Sequence, residues 1–130
     1  MRAAAFLALA SLPAAAQGVD CASPGATTQR AICEERALRA AEAELDGAYV
    51  AALAAARDAD FAAAVPGPVP NGDLVRGAQR AWVAYRDAAC EAEAGPSRGG
   101  TGAGLVLLEC MRRLTEARTG DLCLYAEELS

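Results

Sequence analysis

Apolar residues along this chain recur with a helical period, and the breaks between the recurring stretches are made of proline and glycine. Leu38, Leu45, Tyr49, Ala52, Leu53 and Ala56 fall at three- and four-residue steps, which on a helix forms one stripe. That stripe predicts a first helix running from Thr28, a residue type suited to the N-cap, to about Ala64, with a kink near Cys33. The segment VPGPVPNGD at 65–73 holds three prolines and two glycines and ends it. A second helix is expected from Asp73 as N-cap to about Ala94, where the glycine-rich AGPSRGGTGAG at 94–104 takes over. The third starts after Thr101. Its stripe is Leu107, Met111, Leu114, Leu122, Tyr125 and Leu129, with Gly120 as a point of interruption.

No β-branched or alternating run reads as a strand, so the predicted fold class is all-α. Short connections between consecutive helices favour antiparallel neighbours, giving a small up-down bundle or hairpin of three to four helices. Its stripes consist largely of alanine and single leucines. At roughly 25 cal/mol per Å² of buried apolar surface, such stripes stabilise a fold weakly. A second source of stability is needed.

The cysteines are the candidates for it. They stand at 21, 33, 90, 110 and 123, and the start of the chain assigns them to a compartment where disulfides persist. Met1-Arg2 precedes an apolar run from Ala3 to Leu12, then Pro13 and the small-residue triplet Ala14-Ala15-Ala16, the pattern of a cleavable secretory signal. Residues 1–16 are therefore expected to be a signal peptide and residues 17–130 a mature periplasmic or secreted domain. Asp20 stands before Cys21 where a lipoprotein signal carries a small residue, which argues against a lipid anchor. The leader's apolar run is too short to span a bilayer, which takes roughly 20 residues, and no later run is long enough.

Two helices joined by the glycine-rich loop would bring Cys90 opposite Cys110, and Cys21 would close onto Cys33 at the approach to the first helix. Loop-closure entropy assigns each ring ~3 kcal/mol. Cys123 is left over, because on one continuous helix it would stand ~20 Å from Cys110. A free buried thiol is the preferred reading. An intermolecular disulfide or a partner exchange near Gly120 is the alternative.

Charge and missing residue types narrow the chemistry. Without Arg2, eleven arginines face seventeen carboxylates, a net charge of −6, which suits basic partners and not the phosphates of nucleic acid. There is no histidine and no lysine. Ser-His-Asp and Cys-His sites, histidine metal sites, P-loops and Schiff bases are excluded with them. The carboxylates show no spacing that singles out a hydrolytic pair. Asp58-Ala-Asp60 fails as a calcium loop, since Ala62 and Ala63 stand where a ligand and the turn glycine belong. GGTGAG at 99–104 lacks the spacing of a phosphate cradle. No cysteine pair has the C-x-x-C spacing of a zinc site. No catalytic residue, cofactor or metal is expected.

The most distinctive stretch is Q-R-x-W-x-x-Y-R-D-x-x-C at 79–90, followed after the glycine-rich break by C-x-x-x-x-T-x-x-R at Cys110, Thr115 and Arg118. Upstream stand Cys21, Ile32-Cys33 and A-E-x-E-L-D-x-x-Y at 41–49. Together these blocks resemble the LprI-like domain, named for a lysozyme inhibitor and also catalogued as a domain of unknown function. The likeness covers nearly all of residues 17–130. It implies a secreted or periplasmic helical protein with two disulfides, and lysozyme binding for at least some members. Glu42 stands where aspartate is usual and Asp46 where asparagine is usual, each keeping a polar acceptor. Cys123 is not among the family's four cysteines.

On a helical wheel Ala78, Trp82, Tyr85 and Ala89 share a face, with Arg86 on its flank and Asp87 on the far side. Arg86 is close enough to Trp82 for its guanidinium to lie along the indole. The preferred reading makes Trp82 and Tyr85 core packing and sends Arg86 to Glu42 or Asp46 on a neighbouring helix. The other exposes all three as a partner-binding patch. Tyr49, Asp87, Thr115 and Arg118 join this group as structural motif positions. Ser97 and Arg98, at the tip of a flexible loop whose base the Cys90–Cys110 bond would pin, are a separate candidate contact. Arg98 could meet the paired carboxylates of a lysozyme cleft. The expected function is non-catalytic occlusion of lysozyme, and the alternative is a structural or adaptor role in the cell envelope. Oligomeric state is not read from the sequence.

Overall fold

The computed structural model describes residues 18–129 apart from residue 66, so the expected signal peptide at 1–16 lies outside the described residues. Three helices run in alternating directions: α1 (Thr27–Ala62), α2 (Asn71–Ala94) and α3 (Ala103–Glu128), with a 3₁₀ turn at Gly95–Ser97 closing the second hairpin. Among the described residues there is no strand. The all-α up-down architecture read from the periodicity is the one observed, with three helices. Helical bonding passes unbroken through Cys33 and Gly120.

Both first helices start elsewhere than at their predicted caps. At α1 the N-cap is Ala26, and the Gln29 side-chain oxygen reaches back to accept the N–H groups of Gly25 and Ala26 at 2.9 and 3.2 Å. A side chain from inside the first turn does the work of a capping threonine, so Thr28 lies within the helix. At α2 the cap is tertiary. Asp60, near the end of α1, accepts from the Asn71 backbone N–H at 3.0 Å and its side-chain amide at 2.8 Å, and lies 3.5 Å from the Gly72 N–H. Asp73 sits in the first turn instead and pairs with Arg76 at 3.0 Å. A carboxylate brought from another helix satisfies the orphan donors and favours the positive end of the dipole. It also ties the two ends of the α1–α2 connection together.

The core is narrow and rich in alanine. Leu45, Ala48, Ala52 and Ala56 of α1 meet Val75 of α2 and Leu122 of α3, with Tyr49, Leu53, Trp82 and Tyr125 packed around them. The predicted α1 stripe faces the core, with Tyr49 and Leu53 half-buried at its edge, and Ala41 and Ala48 join its buried centre. On α3 the buried residues are Leu105, Cys110, Thr115 and Leu122; Leu107, Met111 and Leu114 are half-buried and Leu129 is exposed. This corrects the single stripe expected there. α3 packs on both other helices, most extensively on α1, so its contact surface spreads around the cylinder.

Two disulfides close the structure. Cys90 and Cys110 are bonded with Cα atoms 5.5 Å apart, and Cys21 and Cys33 with Cα atoms 5.6 Å apart. Cys90 and Cys110 are fully buried between α2 and α3. Cys123 is free but exposed, which corrects the expectation of a buried thiol. Leu122 and Tyr125 face the core, and the position between them on a helix turns outward. Side-chain ties add to the covalent ones: Arg112 donates to Glu34 of α1 at 2.7 Å and to Glu116 at 2.8 Å, and Arg113 pairs with Glu93 of α2 at 2.8 Å. The hydrogen bond to Glu34 first, then that to Glu116, holds the Arg112 guanidinium above the usual arginine range.

Removing the buried disulfide with Cys90→Ala and Cys110→Ala should lower the unfolding free energy in urea by ~3 kcal/mol, the loop-closure value for its span. Cys123→Ser should change it by less than about 0.5 kcal/mol, as for an exposed position without partners.

Candidate functional site

The stretch at 79–90 runs through the middle of α2 and turns a polar side chain into the core. Arg86 is 9 % exposed, the one buried charged residue among the described residues. Its Nη1 lies 3.4 Å from Glu42 Oε1 on α1 and 3.4 Å from Thr115 Oγ1 on α3, while Nε donates to Asp87 Oδ1 at 2.9 Å. The guanidinium carbon stands 5.3 Å from the centre of the Trp82 ring. One cation therefore touches all three helices. Thr115 is fully buried, and Arg86 is the donor that satisfies its hydroxyl.

The energetics of this node come from burial more than from charge. The Glu42 side chain is 44 % exposed and that of Asp87 53 %, so water screens both ion pairs. Inside, the Arg86 stem fills volume, its face covers the indole and its Nη1 meets a hydroxyl that has no access to water.

The wheel reading needs rotation. The buried face of α2 runs through Val75, Trp82, Arg86 and Cys90, with Arg86 near its middle. Tyr85, one residue back and about 100° around the helix, is 62 % exposed and takes no part in the core. Asp87 is not remote from the node: Arg86 curls back onto it. Of the two acceptors offered to Arg86, Glu42 is the one reached, while Asp46 is exposed. Tyr49 is half-buried against the core. Arg118 donates from Nε to Gln79 Oε1 at 3.0 Å, joining α3 to the first residue of the motif stretch. That pairing was not anticipated, although both residues stand in the motif blocks.

The loop after α2 is built rather than slack. Gly95–Ser97 forms a 3₁₀ turn, the Ser97 carbonyl accepts from the Gly100 N–H at 3.1 Å, and Gly99 turns the chain at φ 85°, a conformation that favours glycine. Ser97 is half-buried. Arg98 is exposed and has no ion-pair partner among the described residues. At the other end of the molecule, a groove of about 350 Å³ runs between α2 and α3, floored by Leu74, Val75, Ala78, Leu122 and Tyr125 and edged by Arg118 and Asp121. No group of three or more His, Cys, Asp or Glu side chains suited to a metal occurs among the described residues. No helix among them is long and apolar enough to cross a membrane.

The blocks that build this node also identify the chain. The model of the LprI family, described as lysozyme inhibitor LprI, matches residues 20–122. The chain belongs to the LprI family. A protein of Rhizobium meliloti (strain 1021), described as uncharacterized, is 35 % identical over 133 residues, covering 94 % of each chain. No solved structure matches. The LprI region takes in both disulfides, the Arg86 node and the Gln79–Arg118 contact, and ends just before Cys123.

Arg86→Ala should cost ~2–3 kcal/mol in urea unfolding, because it leaves a void and a buried Thr115 hydroxyl without its donor. Glu42→Gln should cost under about 1 kcal/mol, as expected for a water-screened pair. Equal losses in the two variants would show that the ion pair, not the burial, holds the node.

Proposed function

We propose that this LprI-family protein is exported, binds lysozyme and blocks it by occlusion, without catalysis of its own. The observation that carries the reading is the family match over residues 20–122. Two disulfides in so short a chain fit an extracytoplasmic location, where such bonds persist. The acid balance supports it as well, since a negatively charged protein captures a basic enzyme faster. The Arg86 guanidinium, the most unusual side chain of the core, is committed to its own chain, so recognition falls to the surface. Ser97 and Arg98 offer one such surface, with an unpaired guanidinium on an ordered turn fit to meet carboxylates. An envelope adaptor role without lysozyme binding is the second reading, and the exposed thiol of Cys123 favours it.

Titrating a basic lysozyme with the purified mature protein at moderate salt decides between them. The expected result is inhibition that saturates near equimolar ratio and weakens as salt rises. Full lysozyme activity at a large molar excess would retire the first reading. A disulfide-linked species recovered from envelope extract and absent from the Cys123→Ser variant would then stand for the second.

A further inference from the structure

The two ends of the bundle differ in what they show to solvent. Of the ten large apolar side chains exposed among the described residues, Phe61, Val65, Val69, Leu74, Leu124 and Leu129 all lie at the end where α1 joins α2 and α3 terminates. The end carrying the Arg98 turn has only Ile32 near it. Phe61 is 94 % exposed and Val65 82 %, the two highest values of the set. Scattered apolar residues on a surface are ordinary, but concentration at one pole is the mark of an interaction site. The backbone there is also anchored: Asp60, next to Phe61, holds Asn71 and Gly72 through three donors, so the connection is presented from a tied base. The apolar groove lined by Leu74 opens at the same end.

The charges around this pole select its partner. Arg76 is neutralised by Asp73. Among the described charges left without an ion pair, Asp58, Asp60, Asp121, Glu127 and Glu128 outnumber Arg57, Arg80 and Arg118. A negative rim around an apolar tip repels an anionic membrane surface and attracts a protein whose apolar recess is framed by positive charge. We infer that the α1–α2 pole, with Phe61 and Val65 as its apolar anchors, is the docking surface for a basic protein. On the reading above, that protein is lysozyme. The contact is then led by the apolar pole and not by the Arg98 turn.

The test measures binding of a basic lysozyme by calorimetry and its inhibition by titration, using the full mature chain. Phe61→Ser with Val65→Ser should weaken binding at least about tenfold, as for loss of an interface anchor. Val50→Ser, an exposed apolar residue of mid-α1, should leave it unchanged. Both sets of side chains are in water, so unchanged circular dichroism and urea midpoint are expected throughout. If the wild type binds lysozyme and the Phe61/Val65 variant binds equally well, or if Arg98→Ala loses more than that variant does, the docking surface is wrong while the functional reading stands. A wild type that shows no binding removes both. Sedimentation of the wild type with anionic vesicles, or as a dimer, that is lost in the Phe61/Val65 variant would assign the pole to lipid or to a second copy and overturn the proposal.

Discussion

The seam between α1 and α3 is lined with alanine, and the rest of the molecule follows from how little such a seam buries. Ala48, Ala52 and Ala56 let the helices pack closely but remove a small apolar area from water. Leu45, Val75 and Leu122 are the larger buried side chains at the centre of the core, and the aromatic rings around them are only half covered. A hydrophobic core of that size leaves a small margin over chain entropy. The ties that close the structure are therefore covalent and polar: two disulfides, the Arg86 node, the Asp60 cap and the Arg112 bridge.

These ties divide the labour along the bundle axis. Near the Arg98 turn, Cys90–Cys110 locks α2 to α3, and Cys21–Cys33 folds the approach onto α1. In the middle, one guanidinium joins three helices. At the far pole Asp60 fastens the connection, and there the apolar side chains face water. The covalent ties are concentrated away from that pole, while the buried core reaches toward it through Ala56, Val75 and Leu122. The exposed side chains there, Phe61 and Val65 above all, are not held by the core, so their identity is free to serve recognition.

Much of the fold is legible in the sequence. Proline and glycine at 65–73 and 94–104 mark where helices must stop, and the α1 stripe from Leu38 to Ala56 has only one helical phase that buries it. The site was legible in part. Glu42, as one of two acceptors for Arg86, and the stacking on Trp82 follow from spacing on neighbouring helices. Tyr85 was assigned to the core because a wheel ranks faces by side-chain type, and it places tyrosine inside before arginine. The real face is centred on Arg86, since Glu42 and Thr115 offer acceptors there that no wheel of α2 can display.

The sequence by itself determined the helical class, the three segments, the cysteine pairing and the family, because each rests on local period, on breakers, or on rings closed by short loops. Tertiary structure decided the rest. Asp60 caps a helix that it does not belong to, Cys123 faces water, α3 buries two faces, and six apolar side chains gather at one pole. Each of these depends on which way a helix is rotated and on what stands across from it, and that is set only when several helices settle together the question of which groups can be buried with a partner.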